Sequence, residues 1–297
     1  MEKNQQSAIK FGLAAVLLWS TVATAFKLAL AHLSPTQLLF YASLTTWLLL
    51  SLILLKQNKL NQILPSFKSA PWRFTQLGLI NPALYYMVLF EAYDLLPAQQ
   101  AQTLNYTWAI TLSLLAVPLL GQRLTKFDGL ALVLAYFGAA VISTQGNFTE
   151  LNFTSGLGVC LALASTVLWS FYWIINTKNN ADPIVSLFLC FSIGLPVIAV
   201  IMTVQNQWQM PSTYGLLSAI YVGLFEMGIT FVLWLFALKK ATNTSQISML
   251  IFISPFLSLC FIYLFLGEAI HPATIVGLCF IVIGLVSQQV MNKKLQR

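Results

Sequence analysis

Apolar residues dominate almost the whole chain, in runs of about 18 to 22 positions separated by short polar breaks and prolines. A helix of this length crosses the hydrocarbon core of a bilayer, and continuous apolarity favours such helices over the alternating pattern of a β-barrel. The breaks divide the chain into ten predicted membrane-spanning helices, spans 1 to 10. Their approximate limits are residues 11–31, 35–55, 73–94, 97–119, 127–145, 155–176, 183–204, 214–237, 243–266 and 272–291.

The composition supports the same class of protein. Hydrophobic residues make up 58% of the 297 positions and charged residues only 8%, whereas a soluble domain carries about 25% charged residues. The sequence contains no Walker, GxSxG or HExxH motif, so it predicts neither an enzyme nor ATP-driven transport, and no cofactor. The cysteines form no CxxC pair and no cluster with histidine, so we expect packing residues rather than a metal site; they are Cys160, Cys190, Cys260 and Cys279.

Positive charge is distributed unevenly between the two sides of the predicted bundle. If the N-terminus is cytoplasmic, every lysine and arginine except Lys27 lies on the cytoplasmic side, in loops or in the tails at residues 1–10 and 292–297. The opposite loops carry Asp94, Glu150, Glu268, His32 and His271. Lysine and arginine in short loops stay cytoplasmic, so the pattern predicts a bacterial inner-membrane protein with both termini in the cytoplasm. The formal charge of +7 is therefore a topology signal and indicates no nucleic-acid partner.

The chain contains an internal repeat. Residues 78–93 (GLINPALYYMVLFEAY) align with residues 223–238 (GLFEMGITFVLWLFAL) at a constant shift of about 145 positions. The segments that begin at Gly121 and Gly267 also align, as do LLWS at 17–20 and VLWS at 167–170. We infer two five-span units, residues 11–145 and 155–291. Because five is odd, the second unit enters the membrane from the opposite side. Inverted repeats of this kind support alternating access around a site near the midplane.

These motifs resemble the drug/metabolite transporter superfamily in its EamA-type ten-helix form. The resemblance rests on LLWS and VLWS in spans 1 and 6, on ALKKATNTSQ at 237–246, on FISPFLSL at 252–259 and on FLGEAIHP at 265–272. The first unit departs from the family pattern, with Trp108 and Ala109 where a proline is usual and GQRL at 121–124 where GERL is common. The resemblance implies a central cavity lined by spans 1, 3, 4, 6, 8 and 9, peripheral spans 5 and 10, and an amino acid or related amine as substrate.

Glu226 is the single ionisable residue in the apolar stretch from Gly223 to Leu238, near the middle of span 8. A charged group at the bilayer centre costs on the order of 3 kcal/mol on insertion scales. This penalty is bearable if the group faces a wet cavity, pairs with a cation or stays protonated. Two interpretations are open: a structural hydrogen bond to a neighbouring helix, or a cavity residue that binds a cationic substrate group or a coupling proton. The repeat mate of Glu226 is the polar residue Asn81, which favours the second.

Polar residues form one face at the start of span 4, where Gln99, Gln102 and Tyr106 follow helical spacing. These side chains either join neighbouring helices or line the transport path. The polar start of span 9, which includes Gln246, repeats the pattern and favours lining. In span 1, Lys27 either extends to the outer headgroups or supplies a positive wall for anionic substrates.

Aromatic residues recur at equivalent or nearby positions of the two units and either line the cavity or serve in packing and interface belts. Trp234 lies two turns from Glu226 on the same predicted helix face, where an aromatic ring beside a carboxylate suits an amine. Together with the polar residues above, the candidate cavity residues are Trp19, Tyr85, Trp169, Trp173, Thr230 and Trp234.

The sequence therefore predicts an all-α integral membrane protein that exports a small organic metabolite by alternating access, without covalent chemistry. Its expected partners are the lipid bilayer and a small-molecule substrate, with a proton or counter-ion as candidate coupling partner. Two alternatives stay open. One is an importer or organic-anion carrier of the same fold, in which Lys27 supplies positive charge. The other is a non-transporting sensor or assembly partner, in which Glu226 is structural. The sequence leaves open whether the protein is a monomer or a homodimer.

Overall fold

The computed structural model describes residues 3–121, 125–148, 154–242, 246–247 and 250–295, with the side chains of all but residues 289 and 292–295. The predicted positions Arg123 and Glu150, and most of the polar start of span 9, lie outside the described residues.

In the first unit the helices of the spans are Gln5–Ser20 and Val22–Leu30 (span 1), Pro35–Lys56 (span 2), Pro71–Gly78 and Tyr85–Leu95 (span 3), Ala98–Asn105 and Trp108–Leu120 (span 4), and Lys126–Ser143 (span 5). In the second unit they are Gly156–Asn176 (span 6), Pro183–Val204 (span 7), Thr213–Phe225 and Ile229–Lys240 (span 8), Ser254–Phe261 flanked by the short turns Ile251–Ile253 and Ile262–Leu266 (span 9), and Pro272–Leu295 (span 10).

The all-helical membrane fold predicted from the apolar pattern is confirmed. In the described part of the chain, seven helical runs are long and apolar enough to cross a bilayer, and shorter apolar helices cover spans 9 and 10. The helices of spans 1 and 10 extend beyond the predicted apolar limits. Asn4 caps the first helix by accepting a hydrogen bond from the Ser7 N–H at 2.9 Å, and a polar helical turn outside the hydrocarbon needs no apolar residues.

Local sequence signals set the helix ends. Ser34 and Gln37 form a capping box at the start of span 2, with Pro35 in the first turn. Asp182 caps span 7 by accepting hydrogen bonds from two backbone N–H groups of the first turn. Gly121 ends span 4 with φ 68°, a left-handed conformation that favours glycine.

Equivalent spans of the two units run antiparallel to each other. Spans 2 and 7 are joined at one end by a hydrogen bond from Thr36 to Gln205 (2.8 Å) and at the other by the ion pair of Lys59 with Asp182 (2.7 Å). Spans 5 and 10 cross where Gly138 lies against Gly277, and Ala131 lies against Gly284 about two helical turns away. In both pairs, residues early in one helix contact residues late in the other. The second unit therefore runs in the opposite direction to the first.

Spans 1 and 6 occupy equivalent positions in the two units and pack against equivalent neighbours, taken from both units. The first helix of span 1 packs against the second helix of span 8, and in the same manner span 6 packs against the second helix of span 3. Span 6 also packs on span 4, as span 1 does on span 9. Of the cysteines expected to be packing residues, Cys190 is buried in this core, whereas Cys160 and Cys260 are exposed on the outer surface. Apolar side chains on the outer surface contact lipid, so burial is not required of them.

Candidate functional site

The helices of spans 3 and 8 are interrupted at equivalent positions of the two units. In span 3, Asn81 has an extended backbone (φ −132°, ψ 114°) directly before Pro82. Proline lacks a backbone N–H and disfavours helical geometry in the residue before it. In span 8, the break between the two helices begins at Glu226 and ends at Gly228. The repeat alignment matches Asn81 with Glu226, so each break presents a polar side chain.

Threonine hydroxyls stabilise the break in span 8. Thr230 donates a hydrogen bond to the carbonyl of Phe225, and Thr46 of span 2 donates one to the carbonyl of Gly223 at 2.8 Å. A helix break frees backbone carbonyls, and these need donors from within a membrane protein. The structure places the predicted cavity residue Thr230 at this break, where its side chain is buried and its hydroxyl bonds the preceding helix end.

The carboxyl group of Glu226 points into the helix bundle. The hydroxyl of Tyr86, from span 3, donates a hydrogen bond to Glu226 Oε1 at 3.0 Å. Tyr86 is only 1% exposed, so the carboxyl group that contacts it faces the interior rather than lipid. The Glu226 side chain nevertheless keeps partial accessibility. Glu226 is thus partly accessible and has a hydrogen-bond partner in the interior of the bundle.

Stacked aromatic rings lie next to this carboxylate. The Trp169 ring of span 6 stacks on Tyr85 of span 3 at 4.5 Å between centroids and on Tyr172 at 5.2 Å. Tyr85 in turn contacts Tyr86 at 4.8 Å, which links the stack to Glu226. Trp173 meets Trp169 edge-on at 6.0 Å. The predicted residues Tyr85, Trp169 and Trp173 are thus brought together with Glu226.

A second row of rings continues from Trp169 towards span 1. Phe231 of span 8 contacts Trp169 at 6.4 Å and Trp19 at 5.6 Å, and Trp19 contacts Trp234 at 5.5 Å. We name these two rows together the aromatic cluster; its members are Trp19, Tyr85, Tyr86, Trp169, Tyr172, Trp173, Phe231 and Trp234. The prediction that Trp234 shares one helix face with Glu226 is wrong, because span 8 is interrupted between them and Trp234 packs on Trp19 instead.

Span 4 contributes one residue to the neighbourhood of Glu226. Tyr106 lies at the interruption between the two helices of span 4, is partly accessible, and is close enough to interact electrostatically with Glu226. The preceding residue Asn105 donates a hydrogen bond to Ser165 of span 6 at 2.9 Å. Tyr106 therefore joins the candidate site, while Asn105 joins two helices.

Gln99 and Gln102 form hydrogen bonds that join spans. Gln99 donates to the carbonyl of Ala269 at 3.0 Å and accepts from the backbone of His271 and the hydroxyl of Thr274 at 2.9 and 3.0 Å. Gln102 accepts from Ser258 of span 9 at 2.8 Å. Both side chains are buried. Of the two interpretations of this polar face, helix-to-helix contact is the one that the structure gives for both glutamines.

Gln246 lies at the exposed end of the bundle, away from the aromatic cluster. Its side chain accepts a hydrogen bond from Gln5 at 2.9 Å, and Gln5 also accepts from Thr242. The structure therefore does not bring Gln246 together with the other predicted cavity residues. Gln246 and Thr242 thus meet Gln5, which lies in the polar first turn of span 1.

Lys27 fills neither of its two predicted roles. Its ammonium group donates hydrogen bonds to the carbonyls of Tyr93 and Leu96 at 2.8 and 3.0 Å. These carbonyls belong to the C-terminal end of span 3, where a positive charge complements the helix dipole. At the start of span 4, the N–H groups of Ala98 and Gln99 donate hydrogen bonds to Glu268. The positive charge of Lys27 and the negative charge of Glu268 therefore each stabilise a helix end.

Two buried polar atoms in this region have no hydrogen-bond partner among the described residues. They are the side-chain oxygen of Asn81 and the indole N–H of Trp173. No group of three or more histidine, cysteine, aspartate or glutamate residues that could hold a metal occurs in the same described ranges.

The list of candidate cavity residues predicted from the sequence does not include two residues that connect the candidate site across the units. Tyr86 supplies the hydrogen bond to Glu226, and Phe231 links Trp169 to Trp19. The repeat alignment contains the signal, since a shift of about 145 positions matches Tyr86 with Phe231. Both flank the polar break residues by the same number of positions.

Comparisons with known proteins extend this picture. The sequence model of the EamA-like transporter family matches residues 6–144 and 156–287. A transporter of Clostridium kluyveri is 25% identical over 223 residues, 73% of this chain and 71% of its own length. The aromatic amino acid exporter YddG of Ancylobacter novellus is 23% identical over 292 residues, 95% of this chain and 96% of its own. A solved crystal structure that matches 99% of this chain and 100% of its own, with a TM-score of 0.67 and 20% identity, shows the same fold.

The family match consists of two segments, one in each five-span unit, and leaves out little more than the two chain ends and the connection between units. The relatives above are named as transporters, which agrees with the multi-pass helical fold. The chain therefore belongs to the EamA-like transporter family.

Proposed function

We propose that the chain exports an aromatic amino acid or a related aromatic amine, by alternating access of the two five-span units around the breaks of spans 3 and 8. The observation that carries this proposal is a carboxylate at a helix break, hydrogen-bonded across the units to Tyr86 and adjoining the aromatic cluster. Discontinuous helices that meet near the midplane form the substrate sites of other inverted-repeat transporters. Membership of a transporter family makes transport the activity to which this site belongs.

The aromatic cluster supports a planar, aromatic substrate. Tyr85, Trp169 and Tyr172 form a nearly parallel stack, with interplanar angles of 28° and 20°. Stacked and edge-on rings favour a further ring by about 0.5–1.5 kcal/mol beyond simple burial. The relative YddG is named as an aromatic amino acid exporter, and this name supports the same class here.

Glu226 is proposed to carry the coupling proton. Carboxylates inside membrane bundles mark ion pathways and proton relays. In the part of the chain that the structure describes, no lysine, arginine or histidine forms an ion pair with Glu226. Its hydrogen-bond partner among the described residues, the Tyr86 hydroxyl, is neutral. A carboxyl group with a neutral partner and partial accessibility can gain or lose a proton without breaking an ion pair.

The distribution of charge supports the proposed location of the protein. Nearly all lysine and arginine residues lie on the side of the N-terminus, which supports cytoplasmic termini and an inner-membrane location. An organic-anion carrier that uses Lys27 receives no support, because the ammonium group of Lys27 is engaged by two backbone carbonyls.

Reconstitution into liposomes tests the proposal. Purified protein is incorporated into vesicles loaded with radiolabelled phenylalanine, tyrosine, tryptophan, phenethylamine, lysine or glutamate, and efflux is measured with and without a pH gradient. We expect flux of the aromatic compounds and little flux of glutamate. Glu226→Gln is expected to abolish the response to the pH gradient. Glu91→Gln is the matched control, because Glu91 lies on span 3 with an exposed side chain.

The outcomes separate the alternatives. A wild-type protein that moves none of these compounds contradicts the proposal and favours a sensor or assembly role. Preferred flux of glutamate contradicts the assigned substrate class. If the Glu226→Gln variant still responds to the pH gradient, Glu226 is not the carrier of the coupling proton, while the proposal of aromatic transport stands.

A further inference from the structure

The break in span 3 contains a buried acceptor that the fold leaves unused. The Asn81 side chain is 2% exposed and its oxygen has no partner among the described residues. Roughly 90% or more of buried polar groups in proteins are hydrogen-bonded, so each exception requires a reason. Asn81 is also the repeat mate of Glu226, whose carboxyl group does have a partner.

The internal symmetry explains why the oxygen of Asn81 is free. In the second unit, Glu226 accepts a hydrogen bond from Tyr86 of the first unit. The symmetric contact would join Asn81 to the repeat mate of Tyr86, which is Phe231. Phenylalanine has no hydroxyl group, so the symmetric hydrogen bond cannot form. The two breaks have the same backbone feature but different chemistry: one polar group is engaged by the protein and the other is open.

An unpaired donor lies in the same neighbourhood. The indole N–H of Trp173 is buried without a partner among the described residues. Span 6, which carries both Tyr172 and Trp173, packs against the break of span 3 that contains Asn81. The Tyr172 ring lies 5.9 Å from that of Trp173. The same Tyr172 ring belongs to the stack on Trp169. A free acceptor and a free donor therefore adjoin the surface that is proposed to bind an aromatic ring.

We propose that Asn81 and Trp173 form a polar subsite for the head group of an amino acid. This inference rests on the proposed function, in which the aromatic cluster holds the substrate ring. The Asn81 side-chain oxygen accepts a hydrogen bond from the substrate ammonium group, and the Trp173 indole N–H donates one to the substrate carboxylate. Glu226 stays bound to Tyr86 and available for the proton, so head-group binding and coupling use different side chains.

The two substrate groups can be tested separately with three ligands that share one ring. L-Phenylalanine has both charged groups, phenethylamine lacks the carboxylate, and 3-phenylpropionate lacks the ammonium group. Affinities are measured by isothermal titration calorimetry on the full chain in lipid nanodiscs. Loss of one hydrogen bond to a charged group corresponds to a loss of about tenfold in affinity.

Each variant then has its own expected signature. Trp173→Phe is expected to weaken L-phenylalanine and 3-phenylpropionate about tenfold and to leave phenethylamine unchanged. Asn81→Leu is expected to weaken L-phenylalanine and phenethylamine and to leave 3-phenylpropionate unchanged. Trp47→Phe is the control, because its indole N–H already donates to Ser192 at 2.9 Å, outside the cluster. Since Asn81 also belongs to the helix break, Trp173→Phe carries the test alone if Asn81→Leu does not fold.

The results distinguish failure of the subsite from failure of the function. If both variants bind all three ligands as the wild type does, or weaken all three by one common factor, the subsite is contradicted while aromatic binding stands. A buried water molecule bound to Asn81 would give the first of these patterns for Asn81→Leu. If the wild-type protein binds none of the three ligands, the proposed substrate class is contradicted and the subsite with it.

Discussion

Spans 5 and 10 approach each other so closely at Gly138 that a single methyl group should destabilise the protein. A Cβ atom on Gly138 would overlap the carbonyl oxygen of Gly277 and meet the side chains of Phe280 and Ile281 at 3.1 Å. The mirrored position is equally tight, since a Cβ on Gly277 would lie 2.5 Å from the carbonyl of Gly138. The obstacle in both cases is backbone, which cannot turn away as a side-chain tip can. Gly138→Ala therefore forces the two helices apart.

The magnitude follows from overpacking in a close-packed helix crossing. Inserting a methyl group that forces backbone shifts typically costs about 1–3 kcal/mol, which corresponds to a fall of roughly 2–10 °C in Tm for a chain of this size. Gly129→Ala is the matched control on the same helix, because nothing lies within 4 Å of the added Cβ. Without a clash, alanine should be neutral or stabilise the helix by about 0.5–1 kcal/mol.

Thermal unfolding of detergent-purified protein, followed by size-exclusion chromatography after heating, measures both variants. We expect Gly138→Ala to melt below the wild type and Gly129→Ala at or above it. Equal melting temperatures for the two variants would refute the close crossing. Because spans 5 and 10 contribute no residue to the aromatic cluster, substrate preference should be the same in any Gly138→Ala protein that remains folded.

Three further predictions concern helix ends. Lys27→Met should lower Tm by several degrees, because the carbonyls at the end of span 3 lose both donors; Lys27→Arg should recover part of the loss in the same melting assay. Thr230→Val should cost about 1 kcal/mol of unfolding free energy, since the carbonyl of Phe225 loses its donor. Burial raises the pKa of Asp182, but hydrogen bonds from Lys59 and the backbone outweigh it and hold the pKa below its ordinary value. The stabilisation from Asp182 is therefore present at pH 7 and lost as pH falls below about 4, so the Tm difference between wild type and Asp182→Asn should shrink over that range.

The sequence was sufficient to predict the spans because bilayer thickness imposes one length on every one of them. It was also sufficient to align the units, and this alignment matches Gly138 with Gly284 and Ala131 with Gly277. The structure pairs the same four residues across the antiparallel crossing. Small residues at equivalent positions of the two units can be recognised from the sequence, because a close approach of two helix backbones permits only small side chains.

The partners of individual polar side chains could not be predicted in this way. A glutamine within a span indicates that a partner exists, but the partners of Gln99 lie about 170 residues away in the connection between spans 9 and 10. The same holds for Lys27, whose acceptors are backbone carbonyls that any sequence would supply. The prediction that Trp234 and Glu226 share a helix face is wrong for another reason. Helical spacing assumes a continuous helix, and span 8 is interrupted between these two residues.

The breaks also explain why the candidate site is asymmetric within a symmetric scaffold. Spans 2, 5, 7 and 10 are continuous and pair with their own repeat mates, so packing restricts both partners alike. The residues around the breaks of spans 3 and 8 face the other unit rather than their own repeat mates. A functional group is therefore needed at only one of two equivalent positions. Tyr86 donates a hydrogen bond to Glu226, whereas the equivalent residue Phe231 has no hydroxyl group, and the Asn81 oxygen has no partner among the described residues. Under the proposed alternating access, the contacts among spans 2, 5, 7 and 10 stay equivalent when the protein changes from one conformation to the other. The proposed proton site at Glu226 and the proposed substrate site at Asn81 remain on separate breaks.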